Sequence, residues 1–311
     1  MNFKKSNILV TGGSGMVGSS LKKILPNATY VSSKTCDLRK EKETNDLFSD
    51  INPDYVIHLA ARVGGVKANF EYLGDFYYDN SLINSHVLEA SRKFKVKKVI
   101  SLLSTCIYPD NVEYPLTEDQ IHNGPPHFSN YAYAYAKRML DVQSRAYRAQ
   151  HGCNFITAVP NNLFGEEDNF DLENSHLIPA IIRKIHEAKL NNGDVVLWGD
   201  GSPRREFTYS TDLARILLFL LKNYDDQDPI NIGNTNEYSV KEVAEKISKI
   251  LKFSGNITWD INKPKGQYKK PSSNSKLINL GWKKEEYTAF DDSLYNTCQW
   301  FLKKYPNIRG F

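Results

Sequence analysis

Short apolar runs alternate with longer stretches of helical periodicity through the first half of the chain. Ile8-Leu9-Val10, Thr29-Tyr30-Val31, Tyr55-Val56-Ile57-His58-Leu59, Lys98-Val99-Ile100-Ser101-Leu102-Leu103 and Phe155-Ile156-Thr157-Ala158-Val159 read as buried strands. Between them, residues 19–25, 41–50, 74–94 and 131–150 repeat apolar positions at helical spacing. Such alternation predicts an α/β fold, a doubly wound parallel sheet covered on both faces, with ligands at the carboxyl ends of its strands. The pattern fades in the second half. Residues 199–205 read as a turn-rich basic loop, and residues 211–221 as a strongly apolar helix that returns to pack on the sheet. Ser239-Val240-Lys241-Glu242 is a capping box opening a helix over 240–251. A last helix, near 289–304, ends before Pro306. No internal repeat or low-complexity segment interrupts this order.

Bulk composition narrows the class. At 311 residues, 41% hydrophobic and 24% charged, the chain is of ordinary globular type and long enough for one large domain or two of moderate size. No apolar run is long enough to span a membrane, and the residues around Lys4 and Lys5 carry no secretory leader, so a cytoplasmic protein is expected. Cys36, Cys106, Cys153 and Cys298 show neither C-x-x-C nor zinc-type spacing, which predicts reduced thiols and no metal. A net charge of +4 is too small to argue for nucleic acid, and suits an anionic small molecule if the charge is concentrated.

Candidate chemistry begins where the first strand ends. Gly12, Gly15 and Gly18 lie in Thr11-Gly12-Gly13-Ser14-Gly15-Met16-Val17-Gly18, between a strand and a helix. That is the setting of a dinucleotide-binding turn: Gly12 for the tight turn, Gly15 for close approach of a pyrophosphate, Gly18 for packing of helix on strand. The phosphates would sit on N–H groups at the helix start, along Ser14-Gly15-Met16-Val17. After the second strand stand Ser33 and Lys34 where an NAD site usually has an acidic residue, which favours NADP. Asp37-Leu38 would cap the adenine, the carboxylate accepting from its amino group. Leu59-Ala60-Ala61 offers small residues that let backbone approach the cofactor, and Gly64-Gly65 follows as a loop near the reactive end.

Tyr133 and Lys137 lie four apart in an Ala-rich segment and so share one helical face. A nearby ammonium favours the phenolate, so a lowered tyrosine pKa is expected there, suited to acid–base work near neutral pH. Ser104, at the end of the fourth strand, would bond the same substrate oxygen. Tyr131 and Tyr135 lack the spacing to Lys137.

On these residues the chain resembles the extended short-chain dehydrogenase/reductases. The likeness rests on T-G-x-x-G-x-x-G at 11–18, Asp37-Leu38, residues 58–61, Ser104 with Tyr133 and Lys137, and Pro160-Asn161-Asn162-Leu163-Phe164-Gly165. It implies a Rossmann-type NADP-binding domain over 1–165 and 207–230, with a smaller C-terminal α/β domain for a nucleotide sugar over 166–206 and 231–311. It also implies cofactor contacts from Pro160, Asn162, Leu163 and His176 besides the residues above.

Less common residues point to one branch. Ser104-Thr105-Cys106, Asp168-Asn169-Phe170, the segment Asn174-Ser175-His176-Leu177-Ile178-Pro179, Gly64-Gly65 and Arg205-Glu206-Phe207 resemble enzymes that convert GDP-4-keto-6-deoxy-D-mannose to GDP-L-fucose with NADPH. That resemblance implies a bifunctional 3,5-epimerase and 4-reductase, with Cys106 and His176 as the epimerising acid/base pair. It implies substrate contacts from Lys184, Trp198, Arg205 and Lys270, with Lys263, Lys265 and Lys269 nearby, and a homodimer pairing the helices near 74–94 and 131–150. Ser14 and Lys184 stand where an arginine occurs in some members. Two readings stay open beside it: another nucleotide-sugar enzyme of the same fold, a 4-epimerase or 4,6-dehydratase using tightly held NAD, and a non-catalytic NADP-sensing regulator.

Overall fold

The computed structural model describes residues 6–263 and 268–311, so Lys4, Lys5 and Lys265 fall outside the described residues. The strands are β1 (Ile8–Thr11), β2 (Thr29–Val31), β3 (Tyr55–His58), β4 (Lys98–Leu102), β5 (Phe155–Pro160), β6 (Asn162–Phe164), β7 (Val195–Trp198), β8 (Arg204–Tyr209), β9 (Ile230–Ile232), β10 (Glu237–Ser239) and β11 (Ile257–Asp260). The helices are α1 (Met16–Ile24), α2 (Glu41–Ile51), α3 (Val66–Glu71), α4 (Leu73–Lys93), α5 (Tyr131–His151), α6 (Leu177–Leu190), α7 (Ser210–Asn223), α8 (Val240–Leu251), α9 (Ser275–Asn279) and α10 (Phe290–Lys304).

The first five strands and β9 form one sheet in the order β2-β1-β3-β4-β5-β9, every pair parallel. Successive residues on a strand point to opposite faces, and both faces are covered. Val10, Ile57, Ile100, Ile156 and Ala158 meet the apolar side of α7 and Leu21 of α1. Leu9, Val56, Val99, Phe155 and Val159 meet Phe48 of α2, Leu88 of α4 and Leu140 of α5. Burial on both sides is why these strands are continuous apolar runs rather than alternating ones. The chain leaves β1 toward β2 on one side and comes back to β3 on the other. This reversal opens a crevice at the carboxyl end of β1, where the glycine turn lies.

The rest of the chain builds a second core around Phe164, Phe170, Phe207, Leu294 and Phe301, under α6, α8 and α10. Two small sheets frame it, β10-β8-β6 and β11-β7. β9 lies on the six-stranded sheet although its last two residues pass position 230, and Leu277 and Trp282 fill the core of that sheet.

Candidate active site

At Gly12 the backbone takes φ +70°, and a Cβ there would stand 2.8 Å from the Ala60 nitrogen and 2.9 Å from the Leu59 carbonyl carbon. The turn can therefore press on the end of β3 only as glycine. At Gly18 a Cβ would lie 2.7 Å from the Gly12 oxygen, so α1 seats directly on the turn. Gly13 is equally tight, against Tyr30 at 2.7 Å, although sequence spacing assigned it no role. Gly15 is the N-cap of α1, and no side chain caps that helix or adds an acid to its first turn. Ser14 is exposed beside it, and Met16 and Val17 open the helix. A tight turn without side chains, leading to an uncapped positive helix end, fits a dinucleotide pyrophosphate. Leu59, Ala60 and Ala61 follow β3 on the neighbouring strand end, and Pro160, Asn162 and Leu163 lie at the end of β5 and in β6.

The adenine corner differs from expectation in one respect. Ser33 and Lys34 are exposed just past β2. Asp37, however, is gripped by a residue that sequence reasoning missed: Arg39 donates through Nε to Oδ1 and through Nη2 to Oδ2, both at 2.9 Å. That guanidinium holds the Asp37 carboxyl below its usual range. Both oxygens are thus engaged by Arg39, and the lone pairs left on this part-exposed carboxylate remain able to accept from an adenine amino group. Leu38 turns its side chain into the core under α2.

Ser104 follows β4 and accepts from the Cys106 N–H at 3.3 Å, capping a single 3-10 turn over Thr105–Ile107. The turn places the Cys106 thiol two residues beyond the serine, where its charge acts on Tyr133. Tyr133 and Lys137 lie one turn apart on α5. The two other tyrosines point outward, Tyr131 44% and Tyr135 36% exposed, so direction as well as spacing singles out Tyr133. The expected depression of the tyrosine is not seen. Burial pushes the Tyr133 phenol well above its ordinary value, and Cys106 raises it further. Lys137 does not offset this, because its Nζ donates to the Leu102 carbonyl at 2.8 Å while burial pushes it down to about 8.

Beneath this pair runs a buried polar chain that periodicity could not reveal. Thr11 Oγ1 meets His58 Nδ1 at 2.8 Å, His58 Nε2 meets Asn84 Oδ1 at 3.1 Å, and Asn84 Nδ2 donates to the Ala136 carbonyl at 3.3 Å. It joins β1, β3, α4 and α5 next to Lys137. Burial pushes His58 down to about 3, with the Lys137 charge adding to the effect.

The second core brings in the remaining candidates. His176 is the N-cap residue of α6, crowded by protein yet open to solvent, and burial and the Arg309 charge lower its pKa. Its loop is tied to the first core by the Gly65 N–H, which donates to the Asn174 carbonyl at 3.1 Å. Arg205, on β8, and Lys270 repel one another, while Cys106 and Asp110 act on Lys270 in the opposite sense. Burial nonetheless lowers Lys270. Cys106 therefore acts on both Tyr133 and Lys270, and Arg205 on Lys270 as well. Lys184 and Lys263 lie over the Trp198 ring at 5.7 and 5.6 Å, and that indole is 55% exposed. The lysines expected to crowd one loop thus divide: Lys263 goes to Trp198, Lys270 is drawn in beside Arg205 and Cys106, and Lys269 goes to solvent.

Behind Arg205 is a buried clamp. Glu206, 2% exposed, accepts from Asn161 Nδ2 at 3.1 Å, from the Ser272 N–H at 2.8 Å and from Ser272 Oγ at 2.5 Å. It fixes the segment that carries Lys270 against β8. Asn162 donates to the Glu206 carbonyl at 2.9 Å.

Comparison with known proteins agrees with this geometry. Residues 8–233 match the family model described as NAD dependent epimerase/dehydratase family. The chain is 42% identical over 314 residues to a GDP-L-fucose synthase of Dictyostelium discoideum, covering 98% of each chain. It is 33% identical to GDP-L-fucose synthase of Escherichia coli strain K12, over 99% of this chain and 100% of that one. Among solved structures it resembles a GDP-L-fucose synthetase from Naegleria fowleri bound to NADP, with TM-score 0.93 and 42% identity over 98% of this chain and 95% of the other. A fold organised around the glycine turn and a near full-length likeness to these enzymes lead to one assignment: the chain belongs to the NAD dependent epimerase/dehydratase family, and within it to the group of the GDP-L-fucose synthases.

Proposed function

We propose that this protein converts GDP-4-keto-6-deoxy-D-mannose to GDP-L-fucose, epimerising carbons 3 and 5 and reducing carbon 4 with NADPH. The observation that carries the reading is the bond from Lys137, one turn after Tyr133 on α5, to the Leu102 carbonyl, which sets that pair beside Ser104 and Cys106 at the carboxyl end of β4. A sugar with a 4-ketone has acidic hydrogens on C3 and C5, because the carbanion delocalises onto the ketone oxygen. Tyr133 and Ser104 would bond that oxygen and stabilise the developing charge. Cys106 and His176 would take and return the protons at C3 and C5. NADPH, when bound, supplies the hydride for C4. Tyr133, a neutral phenol held so by burial, would then give the oxygen its proton. Both steps load charge onto the same oxygen, which lets one site perform them.

The glycine turn, Ser33, Lys34 and the segment Leu59-Ala60-Ala61 would hold the cofactor, with Tyr133 and Lys137 against its ribose. Arg205 and Lys270 would face the GDP diphosphate, and Trp198 with Lys184 would take the more distant part of the nucleotide. Thr105 and Cys106 follow the serine, where a 4,6-dehydratase needs an acidic pair. We also propose a homodimer through α4 and α5. Tyr77, Tyr131, Tyr135 and Met139 are 46%, 44%, 36% and 43% exposed, and line one apolar depression between those helices. Such a self-complementary face suits two-fold pairing. The four unpaired thiols suit a reducing, cytoplasmic setting. Incubation with the ketosugar and NADPH, with the product identified against authentic GDP-L-fucose, tests the reading. Unconsumed NADPH, or a 6-deoxyhexose that is not fucose, would contradict it.

A further inference from the structure

The loop that delivers His176 is fastened by the last residues of the chain. The Phe170 N–H donates to the Arg309 carbonyl at 2.9 Å. Arg183 Nη1, on α6, bridges the same two segments, donating to the Phe170 carbonyl at 3.1 Å and to the Gly310 carbonyl at 2.7 Å. Gly310 has φ +86°, and a Cβ there would collide with Asn169 Oδ1 and the Asp171 nitrogen, so the backbone crosses this loop without clearance. The Arg183 guanidinium stacks on Phe311 at 4.9 Å, and Phe311 meets Tyr305 edge-on at 5.2 Å. Phe170 is fully buried against Trp300 and Phe301 of α10. From this fixed point the loop runs through Asp171, whose carbonyl accepts from the Ser175 N–H at 2.8 Å, directly to His176.

Two polar groups are left over by this packing. Asp168 is 5% exposed; its Oδ1 accepts from the Asn169 N–H at 2.7 Å, while Oδ2 is buried without a hydrogen bond. The charge of exposed Arg309 acts on both Asp168 and His176. Burial pushes Asp168 up to about 7, and Arg309 works against that rise. Among the described residues, Arg309 is the charged group that shifts His176, and it favours the neutral imidazole.

We propose that the C-terminal segment 308–311 is a strap belonging to the epimerising half of the site, and that Arg309 is a positioning residue for His176. This rests on the reading of His176 as a proton-exchanging group. The strap fixes where the imidazole stands, and its arginine adds to burial in favouring the neutral form that accepts a proton. The reductive half, carried by α5 and the end of β4, has no contact with the strap among those described and does not depend on it.

Two variants of the full-length protein test this, with turnover in deuterated water and NADPH as the assay. Removal of residues 308–311 should lower deuterium incorporation at C3 and C5 by about tenfold or more, because a misplaced acid/base group loses its alignment. Direct 4-reduction should continue, so the product shifts toward unepimerised 6-deoxyhexoses. Arg309→Gln keeps the main-chain anchor and removes the charge. It should move the acid limb of the exchange profile to higher pH, by about half a unit or more, while leaving NADPH consumption above that limb within about twofold. A folded truncation with an unchanged product ratio overturns the strap, and an unmoved acid limb in Arg309→Gln overturns the role of the arginine. If the truncation does not fold, Arg183→Lys, which keeps the charge but loses the Nη1 bridge between the Phe170 and Gly310 carbonyls, takes its place, and an unchanged product ratio there overturns the strap. His176→Asn separates the two readings: full deuteration in that variant means the histidine assignment has failed, whatever the strap variants do.

Discussion

Lys137 directs its ammonium at the Leu102 carbonyl, 2.8 Å away, and not at the phenol of Tyr133. The bond ties α5 to the end of β4, two residues before Ser104. It leaves Tyr133 governed by burial, which holds the phenol neutral. A neutral phenol is a proton donor, which is what the oxygen at C4 needs when hydride arrives.

Tyr133→Phe should therefore abolish reduction, by about a hundredfold or more, with NADPH affinity nearly unchanged because the ring and its edge contact with Phe76 remain. Cofactor binding and NADPH oxidation measured on the same variant check this. Retention of most of the rate would mean that another hydroxyl donates the proton.

Lys137 titrates near 8 in this site, lowered by burial. If the ammonium is what serves the reaction, the reductase rate falls as pH rises through about 8. Lys137→Arg should be severely impaired, since a larger planar cation cannot reproduce the position of the buried ammonium. Its residual rate should show no alkaline fall, because arginine stays charged. A wild-type rate flat from pH 7 to about 9.5 would contradict the role given to the ammonium.

His58 carries the stability consequence. Its pKa is near 3 in the fold, against an unperturbed value of about 6.5. The unfolded chain thus binds a proton that the folded one does not. The stability that a neutral His58 allows is complete above about 6.5 and is lost as pH falls toward 3, at roughly 1.4 kcal/mol per pH unit. His58→Gln should cost about 1–3 kcal/mol at pH 7 through the broken link between Thr11 and Asn84. It should also flatten the fall between pH 6 and about 4.5 by about one proton. Urea unfolding at several pH values reads both effects, and parallel pH slopes in the two proteins would refute the assignment.

Much of this was legible in the chain itself, and the limits have physical causes. β1, β3, β4 and β5 announce themselves because burial on both faces makes them mainly apolar runs, while β2, at the sheet edge with Thr29 exposed, is the shortest of the five. Tyr133 could be picked from three tyrosines by its spacing to Lys137, and the fold then turns Tyr131 and Tyr135 outward. The strands of the second half were not legible. Glu237-Tyr238-Ser239 is three residues long and half-buried, and exists only through its register with Glu206, Arg205 and Arg204. Asn84 and Glu206 look like ordinary surface residues, since nothing local marks a polar group whose partners are 26 and 66 positions away. The grip of Arg39 on Asp37 needed the turn after Leu38, which the sequence does not display.

The cofactor choice follows from the loop after β2. With Ser33 and Lys34 exposed there and no acidic reader, NADPH should be strongly preferred to NADH, and Lys34→Glu should narrow the preference by about tenfold, the effect of exchanging attraction for repulsion at a phosphate. Ratios of kcat/KM for the two cofactors measure this. Equal efficiencies in the unmodified protein would contradict it.

The account stands or falls on whether one site exchanges protons at two carbons and reduces a third. Turnover of GDP-4-keto-6-deoxy-D-mannose with unlabelled NADPH in deuterated water, followed by NMR of the sugar, reads all three positions at once. The predicted product is GDP-L-fucose carrying deuterium at C3 and C5 and protium at C4. In Cys106→Ser and His176→Asn, that deuterium should be suppressed while NADPH is still consumed. Fully deuterated GDP-L-fucose formed at near-normal rates by both variants would show that these two residues do not exchange the protons, and a wild-type product with protium at C3 and C5 would contradict the epimerase itself.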